Sequence, residues 1–258
     1  MISKTEQKER LKINMRRFFF TKAGIENCLT TATSKNIEFL DNLLFSEVER
    51  REVTKKSSAI KGAGFSTLKN IDDFKFDYVT MPNSLTKEEM FNLDFITHKE
   101  SLILQGVCGS GKTMLSICLG ISACNEGYKV KCITLSELAL KLKHAAAEGR
   151  LDYCLKAYQK LDLLIIDEWG YCHLDKESSE YIFRVISDSY ENKSLIITTN
   201  LPFSEWGKIV ADEQLAAAMI DRIIHYGHYI DTGTVDWRIL NSPMNKQAIV
   251  DKGKCNTN

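Results

Sequence analysis

The sequence predicts an α/β protein: a five-stranded parallel sheet flanked by helices, with a small all-helical domain ahead of it. Three observations predict this. From about residue 65 onward, short apolar runs alternate with helix-length stretches, which is the rhythm of βαβ units around a parallel sheet. A glycine-rich octet joins the first apolar run to the first of those helices. The amino-terminal segment instead shows helical periodicity, with apolar residues three and four apart.

In chain order, residues 16–30 read as helical. Residues 36–52 read as an amphipathic helix, with Ile37, Leu40, Leu44 and Val48 on one side and Glu47, Glu49, Arg50 and Arg51 on the other. Lys61-Gly62-Ala63-Gly64 breaks that pattern. The boundary is placed there, giving a helical domain at 1–64, an α/β domain at 65–245 and a loose polar tail at 246–258. The expected strands are Ser101–Gln105, Val130–Thr134, 163–166, 194–198 and a weaker run at 228–231. The expected helices are Lys112–Asn125, 136–147, 176–190 and 213–224.

Composition removes several alternatives. With 44% hydrophobic and 26% charged residues and only three prolines, the chain fits neither a disordered nor a collagen-like class. Its eight cysteines are scattered, without a C-x-x-C, and read as reduced thiols. The opening MISKTEQKER is charged and lacks a signal-like apolar run. Residues 114–124, the most apolar stretch, fall short of the roughly 20 residues needed to span a bilayer. A cytoplasmic protein with no membrane segment is expected. Net charge is zero, yet Lys and Arg outnumber Asp and Glu by six before residue 71. That surface suits a polyanion, or is simply a solvated helical face.

Gly106-Val107-Cys108-Gly109-Ser110-Gly111-Lys112-Thr113 matches G-x-x-x-x-G-K-[ST] between a strand and a helix. The glycines allow consecutive amides to turn inward around a phosphate, and the following helix adds its positive end. Lys112 is expected to bridge the β- and γ-phosphates of ATP, and the Thr113 hydroxyl to ligate Mg²⁺. Met114 completes the nucleotide-binding stretch. Cys108 either packs or is a reactive thiol at a helix start.

Leu163-Leu164-Ile165-Ile166-Asp167-Glu168 has the form of a buried strand delivering two acids at its carboxyl end. Asp167 is expected to hold Mg²⁺ and Glu168 to orient and polarise the attacking water, which makes hydrolysis the expected reaction. Asn200, after the next strand, either bonds the γ-phosphate or the lytic water, or serves as a turn residue before Leu201-Pro202. Arg222 is either an arginine finger acting on a neighbouring subunit's ATP or half of an ordinary ion pair. His225 and His228 form an H-x-x-H with no third ligand nearby, so a surface or packing role is expected of them. Trp169, Tyr171 and Trp206 are read as packing residues rather than base-stacking platforms.

Taken together, GVCGSGKT, LLIIDEWGY, ITTNLPFSEW, AAAMIDRIIHYG and VDWRIL resemble the IstB-like family, ATP-binding helpers of insertion-sequence transposition that are similar to DnaC-like helicase loaders. The resemblance runs from about Phe18 to Leu240. It implies an AAA+ P-loop core behind a helical domain, ATP-dependent self-association on duplex DNA, and delivery of that DNA to a partner transposase. By the same resemblance Lys112 and Thr113 take the Walker A roles, Asp167 and Glu168 the Walker B roles, Asn200 the sensor role and Arg222 the finger acting in trans. Ser189 stands where the family usually has arginine, and Asp236-Trp237-Arg238 replaces a Ser-Tyr-Arg ending, which leaves the role of Arg238 open. DNA contacts are expected from Arg16, Arg17, Arg50, Arg51, Lys55 and Lys56, and from Lys141, Lys143 and Arg150, through phosphates rather than bases. A replicative helicase loader, or a nucleotide-gated DNA-binding module with little hydrolysis, are the alternatives.

Overall fold

The structure is a computed structural model and describes residues 3–240 and 242. The tail expected at 246–258, with Cys255, lies outside the described residues. The chain divides into two compact units between Ser58 and Ala59.

In the first unit, α1 (Lys4–Arg17), α2 (Lys22–Thr31) and the start of α3 (Ser34–Ala63) bury Leu11, Met15, Ile25 and Ile37. Asp41 is fully buried but satisfied, because Arg10 donates to both of its oxygens. The helix expected across 16–30 is instead broken. Phe19 adopts φ 61°, which ends α1, and the Thr21 side chain accepts from the Gly24 amide to start α2. The helix expected at 36–52 extends to Ala63, passing through Gly62, and the chain turns only at Gly64, where φ is 84°.

The second unit holds the sheet. β1 (Ser101–Gln105), β2 (Val130–Thr134), β3 (Leu163–Trp169), β4 (Ser194–Thr199) and β5 (Gly227–Asp231) are all parallel, in the order β2-β3-β4-β1-β5. The expected strands fall here, and β3 runs three residues further than its apolar run.

Two short helices, α4 (Lys87–Phe91) and α5 (Asp94–Thr97), precede β1; α6 (Lys112–Asn125), α7 (Leu135–Ala147), α8 (Leu151–Gln159), α9 (Lys176–Ser189) and α10 (Glu213–His225) lie between strands, and α11 (Trp237–Leu240) follows β5. Side chains alternate across the sheet. Ile103, Leu164, Ile166, Leu195 and Ile197 face the core built with α7, α9 and α10. Leu102, Leu104, Leu163, Ile165 and Ile196 face the core built with α6 and residues 63–96. Both faces are covered, which is why these strands read as unbroken apolar runs. No helix among the described residues is long and apolar enough to cross a membrane.

Candidate nucleotide site

A parallel sheet carries the carboxyl ends of its strands to one edge, where ligands bind in open α/β folds. Here β1 delivers the glycine-rich loop, β3 delivers Asp167 and Glu168, and β4 delivers Thr198 and Thr199. A cavity of about 620 Å³ opens at that edge, lined by residues 108–114, Asp167, Glu168, Thr198 and Thr199 among others.

The loop is shaped by two left-handed glycines, Gly109 at φ 77° and Gly111 at φ 100°. A side chain at Gly111 would also meet the Phe74 ring, 2.7 Å from where its Cβ would stand. Among the described residues, the amides of Gly109, Gly111, Lys112 and Thr113 donate no hydrogen bond within the chain. Buried or half-buried amides seldom stay unpaired, and such a cluster at a helix start suits an anion. The Lys112 ammonium donates to the carbonyls of Gly106 (2.8 Å) and Val107 (2.7 Å). Burial pushes its pKa below the ordinary lysine value.

The Thr113 hydroxyl donates to Asp167 Oδ1 at 3.0 Å. The Thr198 hydroxyl donates to the same oxygen and accepts from the Glu168 amide at 3.0 Å. One threonine thus fixes both acids, a role invisible without knowing that β3 and β4 are neighbours. Asp167 is buried, whereas Glu168 is exposed to the cavity. The two diverge because the pairing of β3 with β4 shifts between Ile166 and Trp169, and Glu168 sits at φ 61° within that bulge.

Other wall residues come from segments outside the glycine-rich loop and the acidic strand. Phe74, Lys69 and Lys75 line the cavity from the stretch before β1, and Trp237 and Arg238 from the stretch after β5. The latter is held down because β5 pairs with β1. Thr232 Oγ1 meets Ser110 Oγ at 2.6 Å, the Val107 amide donates to Gly233 O at 3.3 Å, and the Trp237 amide donates to Gly109 O at 3.1 Å. Arg238 therefore reaches the cavity. Tyr171 corrects its reading as a packing residue: it is 57% exposed at the cavity wall, with its hydroxyl 2.9 Å from Cys108 Sγ. Trp169 and Trp206 do pack, fully buried with ring centroids 4.6 Å apart.

Asn200 lies just beyond the lining residues. Its Oδ1 is buried without a partner among the described residues. Arg222 does not line this cavity. It lies over the Phe183 ring at 5.0 Å, donates to Ala218 O at 2.9 Å, and makes no ion pair among the described residues. The histidines diverge: His225 bonds Tyr190, while His228 bridges Ser84 and Glu100. No group of metal-binding side chains with three or more members occurs among the described residues. The seven described cysteines are free thiols.

The basic residues considered for DNA contact are all exposed, but not all available. Arg17 pairs with Glu52, Arg51 with Glu47, Lys143 with Asp175 and Arg150 with Glu148. Arg16, Arg50, Lys55, Lys56 and Lys141 form no ion pair among the described residues.

Comparison with known proteins agrees with this architecture. The chain is 35% identical over 224 residues to a protein of insertion sequence IS5376 from Geobacillus stearothermophilus, named as ATP-binding, covering 86% of this chain and 89% of that one. It is 34% identical to the corresponding protein of insertion sequence IS232 from Bacillus thuringiensis, covering 79% and 81%. The solved structure of DnaI shares the fold with a TM-score of 0.52 at 18% identity, covering 63% of this chain and 90% of that one. The family description "IstB-like ATP binding protein" matches residues 22–244, and the chain belongs to that family.

Proposed function

We propose that the chain is a Mg²⁺-dependent ATPase that self-associates on duplex DNA and hands that DNA to the transposase of its insertion sequence. The observation that carries the nucleotide part is the meeting of the unpaired loop amides with Asp167 and Thr113 at one cavity. The triphosphate rests on the amides of Gly109, Gly111, Lys112 and Thr113, with the Lys112 ammonium beside it. Thr113 and Asp167, two oxygen donors already 3.0 Å apart, fit a hard divalent cation. Held by these two residues, Mg²⁺ would supply neutralisation of phosphate charge. Glu168, exposed at the cavity, accepts a proton from the attacking water. Arg222, which does not line its own subunit's cavity, acts on a neighbouring copy, and Asn200, whose buried Oδ1 has no partner among the described residues, serves as the sensor of the γ-phosphate or the lytic water.

The DNA part rests on the unpaired bases Arg16, Arg50, Lys55, Lys56 and Lys141, and on relatives named for insertion sequences. The helical segment 1–64 and the α/β domain at 65–245 divide the work, with most of the DNA grip in the first, and ATP turnover and the Lys141 contact in the second.

The test is nucleotide turnover with and without duplex DNA, in the wild type and in Glu168→Gln. The variant is expected to bind ATP normally and turn it over at least about a hundredfold more slowly, remaining on DNA. Wild-type turnover in Glu168→Gln would remove Glu168 from the reaction. Absence of any DNA-bound species at low salt with ATP present would remove the DNA role, and co-purification with a replicative helicase instead of a transposase would redirect the partner.

A further inference from the structure

Two hydrogen bonds at the cavity join β3 and the turn that follows it to the glycine-rich loop. One, Thr113 to Asp167, is at the floor. The other, at the rim, joins the Tyr171 hydroxyl to the Cys108 thiol at 2.9 Å. The rim bond is a poor use of a phenol, since a thiol is a weak partner in either direction. A phosphate oxygen offers a charge-assisted bond about twice as strong.

Position favours that exchange. The Lys112 ammonium, which belongs between β- and γ-phosphates, is bonded to the carbonyls of Gly106 and Val107. The terminal phosphate therefore belongs at the 106–108 side of the loop, beside Cys108. Tyr171 is also tied to the catalytic carboxylate's own turn. Its amide donates to Glu168 O at 3.3 Å, and Gly170 between them adopts φ 124°. A side chain at Gly170 would stand 2.8 Å from Asn200 Oδ1, so the turn is seated directly on the end of β4. The phenol is neutral at physiological pH: the Cys108 bond, followed by burial, pushes its pKa up to about 12. It thus retains a proton to donate.

We propose that Tyr171 is a positioning residue for the terminal phosphate: its hydroxyl leaves Cys108 to donate to a γ-phosphate oxygen, which distinguishes ATP from ADP and sets the Glu168 turn in place. This rests on the ATP reading above and adds a nucleotide-state sensor to the same site. In the ADP state the hydroxyl returns to the thiol, so the rim bond reports which nucleotide is present.

The test measures equilibrium affinities of the full-length protein for ATP and ADP, each with Mg²⁺, by titration calorimetry. Wild type, Tyr171→Phe and Lys112→Ala are compared. Tyr171→Phe keeps the exposed ring and removes only the hydroxyl. Its ATP affinity is expected to fall about tenfold or more, the loss for a hydrogen bond to a charged group, with ADP affinity unchanged within about twofold. An unchanged ATP-to-ADP ratio overturns the proposal, as does an equal loss for both nucleotides. Failure of the underlying reading looks different: wild type then binds neither nucleotide, or Lys112→Ala binds as wild type does.

Discussion

Glu168 is held at φ 61°, a left-handed conformation that costs a non-glycine residue about 1–2 kcal/mol. Nothing in its side chain requires it, since the carboxylate is exposed. The backbone does, because the pairing shift after Ile166 and the bond from the Glu168 amide to Thr198 leave no other path. Asp167, one residue earlier, is buried and accepts two hydroxyl bonds. Adjacent acids are thus turned in different directions, one to a fixed ligand position and one to the open cavity. If the strain is kept for chemistry, removing it trades activity for stability. Glu168→Gly is expected to gain about 0.5–1 kcal/mol after the added flexibility of the unfolded chain is counted, a Tm rise of about 2 °C, while losing ATP turnover. Calorimetric melting checks this, and a Tm equal to or below wild type would show that the position is not strained.

The element that joins these residues is the turn from Glu168 to Tyr171, and Gly170 decides whether it forms. At φ 124°, with Asn200 Oδ1 2.8 Å and Leu201 side-chain atoms 3.1 Å from a would-be Cβ, alanine is strained in conformation and forces both side chains to shift. Gly170→Ala is expected to cost about 2 kcal/mol or more in urea unfolding and to slow turnover by moving Glu168; a loss under about 0.5 kcal/mol would mean the turn yields freely. Such turns are hard to read in advance, whereas strands buried on both faces are legible as apolar runs. The extension of β3 to Trp169 is hidden because it crosses the bulge, where acids replace apolar residues. The interruption at 18–20 falls within three consecutive phenylalanines, an apolar run with no glycine or proline to mark a break. The nine-residue α8 shows its apolar spacing at Leu151, Leu155 and Tyr158, too short a run to stand out. For the site, the glycine loop and the acids are local in sequence and legible. Thr198, Tyr171, Phe74, Trp237 and Arg238 reach the cavity only through strand order, which no local pattern contains.

Across the whole molecule the α/β core carries one costly group away from the cavity edge. Lys193, only 2% exposed, enters β4 with its ammonium donating to Tyr158 O at 2.6 Å, and burial brings its pKa down from the ordinary 10.5 to about 8. Below pH 8 the amine is charged in both folded and unfolded chains, and the full penalty, about 3 kcal/mol, stands against folding. Between about 8 and 10.5 the folded amine is neutral while the unfolded chain still binds the proton, so this group makes stability rise with pH. Buried thiols work in the opposite direction. Cys124 and Cys132 are pushed up to about 11 and about 12, so above their ordinary value of 9 the unfolded chain releases protons first and stability falls. The wild type alone therefore masks Lys193, and the difference between two proteins isolates it. Lys193→Met fills similar volume without the charge, and Tyr158 O still accepts from the Leu161 amide at 3.2 Å. The variant is expected to be about 2 kcal/mol more stable at pH 7, after about 1 kcal/mol for the lost bond, with the advantage falling through zero near about pH 10 and turning slightly against the variant by about pH 10.5. Urea unfolding of both proteins from pH 7 to 10.5 measures that difference directly. An advantage that stays constant with pH would show that desolvation of the ammonium is not the source of the cost.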